Sequence, residues 1–195
     1  KDTSKSSEND SLEDSKSESY VEVKNMVFFK DKEAIELTDE ETKGVNFLRN
    51  KIKNATLTIE CDGGYFTIET LESKMKLKSK LNIDQLNVNG NVGAEIVYYG
   101  CKDNLDNADV LKSISKKAEK EVESYITKAF NKSKKYNYDF LGLGNYIYKN
   151  NYKYFDFENK DWNKDGLNKL NLKYNIDVSL YKQGNLRGDL WQITN

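Results

Sequence analysis

The chain has 195 residues, of which 37% are hydrophobic and 32% charged, with a net charge of −1 and neither histidine nor proline. That length supports one ordinary domain with its own core plus a tail, and no apolar run approaches the ~20 residues of a membrane helix. The missing histidine excludes the Ser-His-Asp triad, the Cys-His pair and histidine metal ligands together, and the near-neutral balance offers no global attraction to nucleic acid.

The chain opens at Lys1 without an initiator methionine or a signal sequence and reads as a piece of a longer protein. Residues 1–19, KDTSKSSENDSLEDSKSES, carry three lysines against six acids and almost nothing to bury. Such a segment cannot offset its ordering entropy and is expected to be a disordered or linker segment. From Tyr20 the pattern changes. YVEVKNMVFFK, the turn DKE and AIELT read as strand, turn and short strand. Thr38 and Glu41 have capping-box spacing before a helix over 39–50, with Val45, Leu48 and Ile52 as its buried stripe. Gly44 inside that helix costs about 1 kcal/mol against alanine, so the helix needs its packing.

Three strands are expected next. NATLTIEC (54–61) alternates, and CDGG (61–64) is a hairpin turn. YFTIETLESKMKLKSKL (65–81) is long for a strand. Its apolar face switches from Phe66 and Ile68 to Leu71, Met75 and Leu77, which implies a bulge near Glu69–Thr70. In LNVNGNVGAEIVYYGC (86–101), Val88, Val92, Ala94, Ile96 and Tyr98 share one face. A long helix follows over 107–135, with Asn107 as its N-cap. Leu111, Ile114, Ala118, Val122, Ile126 and Ala129 form its stripe, and Lys132, Lys134 and Lys135 suit the dipole of its last turn. LNLKYNIDVSLYKQG (170–184) alternates as a final strand returning to the sheet.

Between them lies YDFLGLGNYIYKNN, 138–151. A dinucleotide loop needs G-x-G-x-x-G after a strand, whereas here Ile147 holds the last position and a helix precedes. Gly142 and Gly144 therefore read as a packing joint, leading into a short helix near 139–149. Asp161, Asn163, Asp165 and Gly166 match positions 1, 3, 5 and 6 of a calcium loop, but position 12 is Leu172 instead of a bidentate glutamate. A plain turn is the preferred reading, with Asp161, Asn163 and Asp165 a weak metal candidate; no metal or cofactor is expected. Cys61 and Cys101 fall two strands apart in a regular meander, about 9.6 Å, beyond the ~7 Å Cα limit of a disulfide. Two free cysteines are the expectation. Trp162 and Trp191 read as packing residues. No two carboxylates stand apart as a catalytic pair, so an enzyme is the weakest reading.

The order of these motifs resembles the C-terminal region of the Ger(x)C family, the lipoprotein C subunits of spore germinant receptors. Tyr138-Asp139-Phe140-Leu141-Gly142-Leu143-Gly144 is similar to the family's D-hydrophobic-x-G-x-G element after the long helix. Phe28-Phe29-Lys30-Asp31-Lys32-Glu33 is similar to its F-K-D-D-K strand and turn, and the likeness spans roughly 21–190. The family's lipobox cysteine and N-terminal domains have no counterpart in this sequence. The resemblance implies a non-enzymatic receptor component on the outer face of the spore inner membrane, attached through an N-terminal lipid anchor absent from this chain. It implies integral-membrane receptor subunits as partners, met through Asp139, Phe140, Gly142, Gly144 and Tyr146. The alternative is a small-molecule (germinant) binding domain, with Tyr138, Phe140, Tyr146, Tyr148, Tyr152 and Tyr154 lining a pocket. The expected architecture over 20–195 is α+β: a mainly antiparallel sheet of about four strands packed against one long helix plus smaller helices.

Overall fold

The computed structural model describes residues 25–79, 85–153, 155 and 161–182. The 1–19 segment, Tyr154 and Trp191 lie outside the described residues.

A short antiparallel hairpin comes first, β1 (Val27–Lys30) and β2 (Glu33–Glu36), turning at Asp31, whose φ of 53° is left-handed. Helix α1 (Asp39–Leu48) starts where the sequence places it. Thr38 Oγ1 accepts the Glu41 amide at 3.2 Å, and Glu41 Oε2 accepts the Thr38 amide at 2.8 Å, satisfying two orphan donors reciprocally. Three acids in its first turn interact favourably with the positive end of the helix dipole.

The main sheet runs in the order β3 (Thr56–Cys61), β4 (Gly64–Ser79), β5 (Gln85–Tyr99) and β6 (Asn171–Lys182). The pairs β3–β4 and β4–β5 are antiparallel, while β5–β6 is parallel. A parallel neighbour requires a crossover connection. The crossover carries α2 (Ala108–Tyr136), α3 (Leu143–Asn150), a π-helical turn (Trp162–Gly166) and the short α4 (Leu167–Lys169). The α+β class and the long helix on a four-stranded, mainly antiparallel sheet are as expected.

The expected bulge is present one residue along. Thr70 faces Ala94 and Glu72 faces Gly93, so Leu71 is the extra residue. A second irregularity on β5 leaves Val97 extra between Ile96 and Tyr98. These bulges overturn two expected burials. Leu71 is 49% exposed instead of joining Met75 on the buried face. Tyr98 is 48% exposed, because the extra Val97 flips it from the face of Ile96 to the other side, where it stacks on Tyr65 at 4.9 Å.

Helix α2 lies on one sheet face and α1 packs on α2. The α2 stripe of Ile114, Ala118, Val122, Ile126 and Ala129 is buried, against Leu57, Ile68, Val88, Val92, Ile176 and Val178 in one core. Gly44 has a reason for its intrinsic cost. A Cβ there would overlap the Tyr125 carbonyl, so glycine lets the backbones of α1 and α2 touch.

Cys61 and Cys101 are bonded, with Cα atoms 5.7 Å apart, and the expectation of free cysteines is corrected. That expectation carried β5 on regularly to residue 101. The strand instead ends at Tyr99, and the chain folds over the end of the β3–β4 hairpin. The Gly100 amide donates to Tyr65 O at 2.9 Å and the Lys102 amide to Asp62 O at 3.0 Å. A Cβ on Gly64 would press on Gly100 O, so this crossing needs a glycine there. Among the described residues no helix is long and apolar enough to cross a membrane.

Candidate functional site

The site is the corner after α2, where the sequence Tyr138–Gly144 reverses the chain into α3. Helix α2 closes with Asn137 in the left-handed region, φ 47° and ψ 50°. The Asn137 amide donates to Lys134 O at 3.2 Å and the Tyr138 amide to Ser133 O at 3.0 Å. This is the Schellman pattern, with asparagine where glycine is more usual.

Asp139 organises the next turn. Its Oδ1 accepts the Gly142 amide at 2.9 Å, and its Oδ2 accepts the Gly144 amide at 2.7 Å and the Trp162 indole Nε1–H at 3.1 Å. The Asp139 amide in turn donates to Asn163 Oδ1 at 3.1 Å. One carboxylate thus joins the end of α2, the start of α3 and the π-helical turn. Helix starts leave amides without partners and favour negative charge. Here the anion is part of the chain itself, so the glycine pair cradles its own carboxylate where a nucleotide loop would cradle phosphate.

The two glycines are needed for different reasons. Gly142 is the N-cap of α3 with φ 75°, and space beside it is open. Gly144 is helical, but a Cβ there would lie 2.5 Å from Trp162 Nε1. One glycine supplies a backbone conformation and the other makes room for an indole.

Phe140 has no exposed surface, and its ring meets Phe28 of β1 at 4.9 Å and Tyr138 at 5.2 Å. Arg49, just past α1, donates Nη2 to Phe140 O at 2.7 Å and holds its guanidinium 5.8 Å from the Phe28 ring. The Phe140 amide reaches the Ser133 hydroxyl at 3.3 Å. Tyr146 on α3 donates its hydroxyl to Leu77 O on β4 at 2.7 Å. Asn50, in a left-handed conformation, uses its side-chain amide as a strand partner, bonding both the amide and the carbonyl of Met75. The α1 end, β1, α2, α3 and the outer edge of β4 therefore meet at this corner.

The structure brings together all five of the residues singled out from the sequence here, Asp139, Phe140, Gly142, Gly144 and Tyr146. Of their neighbours, Arg49, Ser133 and Trp162 were not legible as site residues, and Asn163 was marked only as part of the weak calcium-loop candidate. Lys134 belongs here too. It fastens α4 to α2 by donating to Asn168 O at 3.2 Å and Leu170 O at 2.7 Å, over the Phe130 ring at 4.6 Å. Burial pulls its ammonium pKa down.

The 161–166 segment is the π-helical turn Trp162–Gly166 with Asp161 as its N-cap. Asp161 Oδ1 caps the Lys164 amide at 3.3 Å, and Asn163 is engaged by Asp139. Among the described residues no group of three or more His, Cys, Asp and Glu side chains is placed to hold a metal. Among the described residues, the aromatic side chains suggested as a pocket lining pack on each other or on backbone. Tyr148 meets Tyr152 at 5.3 Å and Phe155 at 5.5 Å, and Phe155 stacks on Trp162 at 5.7 Å. A cleft of about 570 Å³ lies elsewhere, on the sheet around Glu72, Lys74, Gly93 and Tyr181.

The fold and this element can be set beside known proteins. The C-terminal family described as spore germination B3/GerAC like matches residues 24–184. Among solved structures, that of the GerBC protein superposes with a TM-score of 0.64 at 17% sequence identity, covering 76% of this chain and 48% of that one. The chain thus spans about half the length of that protein, and the likeness is one of fold. No curated protein matches the chain significantly. With the family match running from the first hairpin to the last strand, the chain belongs to the spore germination B3/GerAC-like family, whose C-terminal domain it carries.

Proposed function

We propose that this domain is part of the C subunit of a spore germinant receptor, a non-enzymatic component that acts through protein–protein contact in nutrient-triggered germination. The observation that carries the reading is the family match over 24–184, supported by the GerBC-like fold. The partners are integral-membrane receptor subunits. The full-length protein is held on the outer face of the spore inner membrane by an N-terminal lipid anchor. The Cys61–Cys101 bond supports a position outside the cytosol, because disulfides persist in oxidising compartments.

In this reading Asp139, Phe140, Gly142, Gly144 and Tyr146 serve the contact by setting the pose of α3. Phe140 and Gly144 are sealed inside the domain and cannot themselves meet a partner. What α3 and the residues after it present outward are Tyr148 and Tyr152, 48% and 55% exposed, and aromatic residues of this kind are enriched at interfaces. The non-enzymatic part of the reading is supported by the occupation of Asp139: its carboxylate already accepts three donors.

Deleting the gene is expected to abolish the germination response of spores to at least one nutrient, and a full-length wild-type copy is expected to restore it. Unchanged germination of the deletion strain with every nutrient tested would contradict the proposal.

A further inference from the structure

Helices α1 and α2 cover one face of the main sheet. On the opposite face, among the described residues, no helix is packed, and the alternating side chains of β4, β5 and β6 point to solvent. The charges on this face are largely segregated by sign, Asp177 excepted. Toward the disulfide end stand Glu60, Glu69, Glu72 and Glu95. Toward the other end stand Lys74, Lys76, Lys78 and Lys173. None of these eight has an ion pair or a side-chain hydrogen bond within the described residues. Glu69 lies directly opposite Glu95 across β4 and β5. Lys78 and Lys173 flank Asn87 in one row.

A solvated sheet gains from opposite charges across strands and loses from like charges directly opposed. Segregation therefore costs the isolated domain and favours a partner whose charges run the other way. The boundary between the halves falls at Gly93, where Glu72 and Tyr181 lean over bare backbone and the 570 Å³ cleft opens. A two-fold axis through that point lays the acidic half of one copy on the basic half of the other. The pattern is self-complementary, as an isologous contact requires. Asp177, the acid within the basic half, is in the field of Lys116 on α2.

The size is also suitable. The face is three strands wide at most levels, about 14 Å, and its two longest strands have 16 and 15 residues, about 50 Å. That offers roughly 700 Å² per copy, close to the ~800 Å² per partner of a standard interface. We infer that the open sheet face is a dimer surface for a second copy of this chain, placed by the charge reversal about Gly93.

Sedimentation equilibrium of the whole chain over a wide concentration range tests it. At low ionic strength the weight-average mass is expected to rise toward twice the monomer value, and to fall back at about 0.5 M salt as exposed charges are screened. Two variants sharpen the test: Lys74→Glu with Lys76→Glu, and Glu69→Lys with Glu95→Lys. Each alone is expected to weaken self-association at least tenfold, and an equimolar mixture to restore it. Restoration by mixing also shows that both variants are folded. A monomer at every concentration, a dimer indifferent to both variants, or a mixture that stays monomeric would each overturn the inference.

Discussion

Trp162 Nε1 donates to Asp139 Oδ2 at 3.1 Å, directly over the place where Gly144 has no side chain. The bond joins residues 23 positions apart and holds the π-helical turn against the start of α3. Three residue types are needed at once: an acceptor, an indole and a gap. The neighbouring predictions follow from removing one at a time.

Gly144→Ala puts a Cβ 2.5 Å from the indole nitrogen, so Trp162 must shift. Overpacking of a fitted site costs about 1–3 kcal/mol. A fall of that size in urea-unfolding free energy is expected, with a change in tryptophan emission. Gly142→Ala meets no neighbour but takes a Cβ into φ 75°, at about 1–2 kcal/mol. Asparagine tolerates the left-handed region, so Gly142→Asn is expected to recover much of that loss, whereas Gly144→Asn recovers nothing. Equal behaviour of the two asparagine variants would show that the glycines do not have separate roles.

Asp139→Asn keeps the shape but gives up the charge and turns one acceptor oxygen into a donor facing an amide. Loss of a charged acceptor costs about 1.5–3 kcal/mol. The expected signature is local as well as global: faster hydrogen exchange at Gly142 and Gly144 than at residues in the middle of α2. Unchanged exchange at those two amides would contradict the geometry described.

Tyr146→Phe removes the donor to Leu77 O and leaves the ring in place. About 0.5–1.5 kcal/mol is expected, measurable as a lower Tm, with the helical content unchanged. A loss well beyond this range would mean that the ring, and not the hydroxyl, ties α3 to β4.

The Cys61–Cys101 bond closes a loop of sequence separation 40. On the chain-entropy account such a cross-link contributes about 4 kcal/mol. The double variant Cys61→Ser with Cys101→Ser is expected to unfold at markedly lower urea and to be insensitive to reductant. Wild type is expected to approach the variant only when reduced.

Burial first, and then Glu121, raises the Tyr125 phenol pKa above its ordinary value. Burial also raises that of Tyr174. Both phenols hold their protons more tightly in the folded state than in the unfolded one. The stability they contribute is complete below the unfolded pKa of about 10 and drains away as pH rises toward the folded values. In a spectrophotometric titration these two tyrosines are expected to ionise late and together with alkaline unfolding. Early, independent ionisation of all tyrosines would contradict their burial.

Much of the scaffold was readable in local pattern. The Thr38–Glu41 box, the Asn107 cap and the apolar stripe of α2 are short-range rules, and each was found in place. The bulge was legible because a period-two pattern must break when a residue is inserted. What the pattern could not show was which residue is extra. Leu71 was placed on the buried face on that account, and Tyr98 because the second irregularity, at Val97, leaves no mark in the alternation. The disulfide was missed for a related reason: the Val97 irregularity and the fold-over at Gly100 are not visible in alternation, and they change a strand continuation into a crossing. At the corner, Asp139, Gly142 and Gly144 were legible as a motif. Their long-range partners were not: Arg49 reaches Phe140 across 91 positions and Tyr146 reaches Leu77 across 69. Such contacts follow from the topology and carry no local signature.

The central claim, that this domain serves a receptor through protein contact, is tested most directly by affinity purification. Tagged full-length protein would be recovered from solubilised spore inner membranes and its companions identified. Integral-membrane receptor subunits are predicted to be retained by wild type, and at least tenfold less by the double variant Tyr148→Ala with Tyr152→Ala. Recovery of the tagged protein without any integral-membrane subunit, at every salt concentration used, would contradict the account.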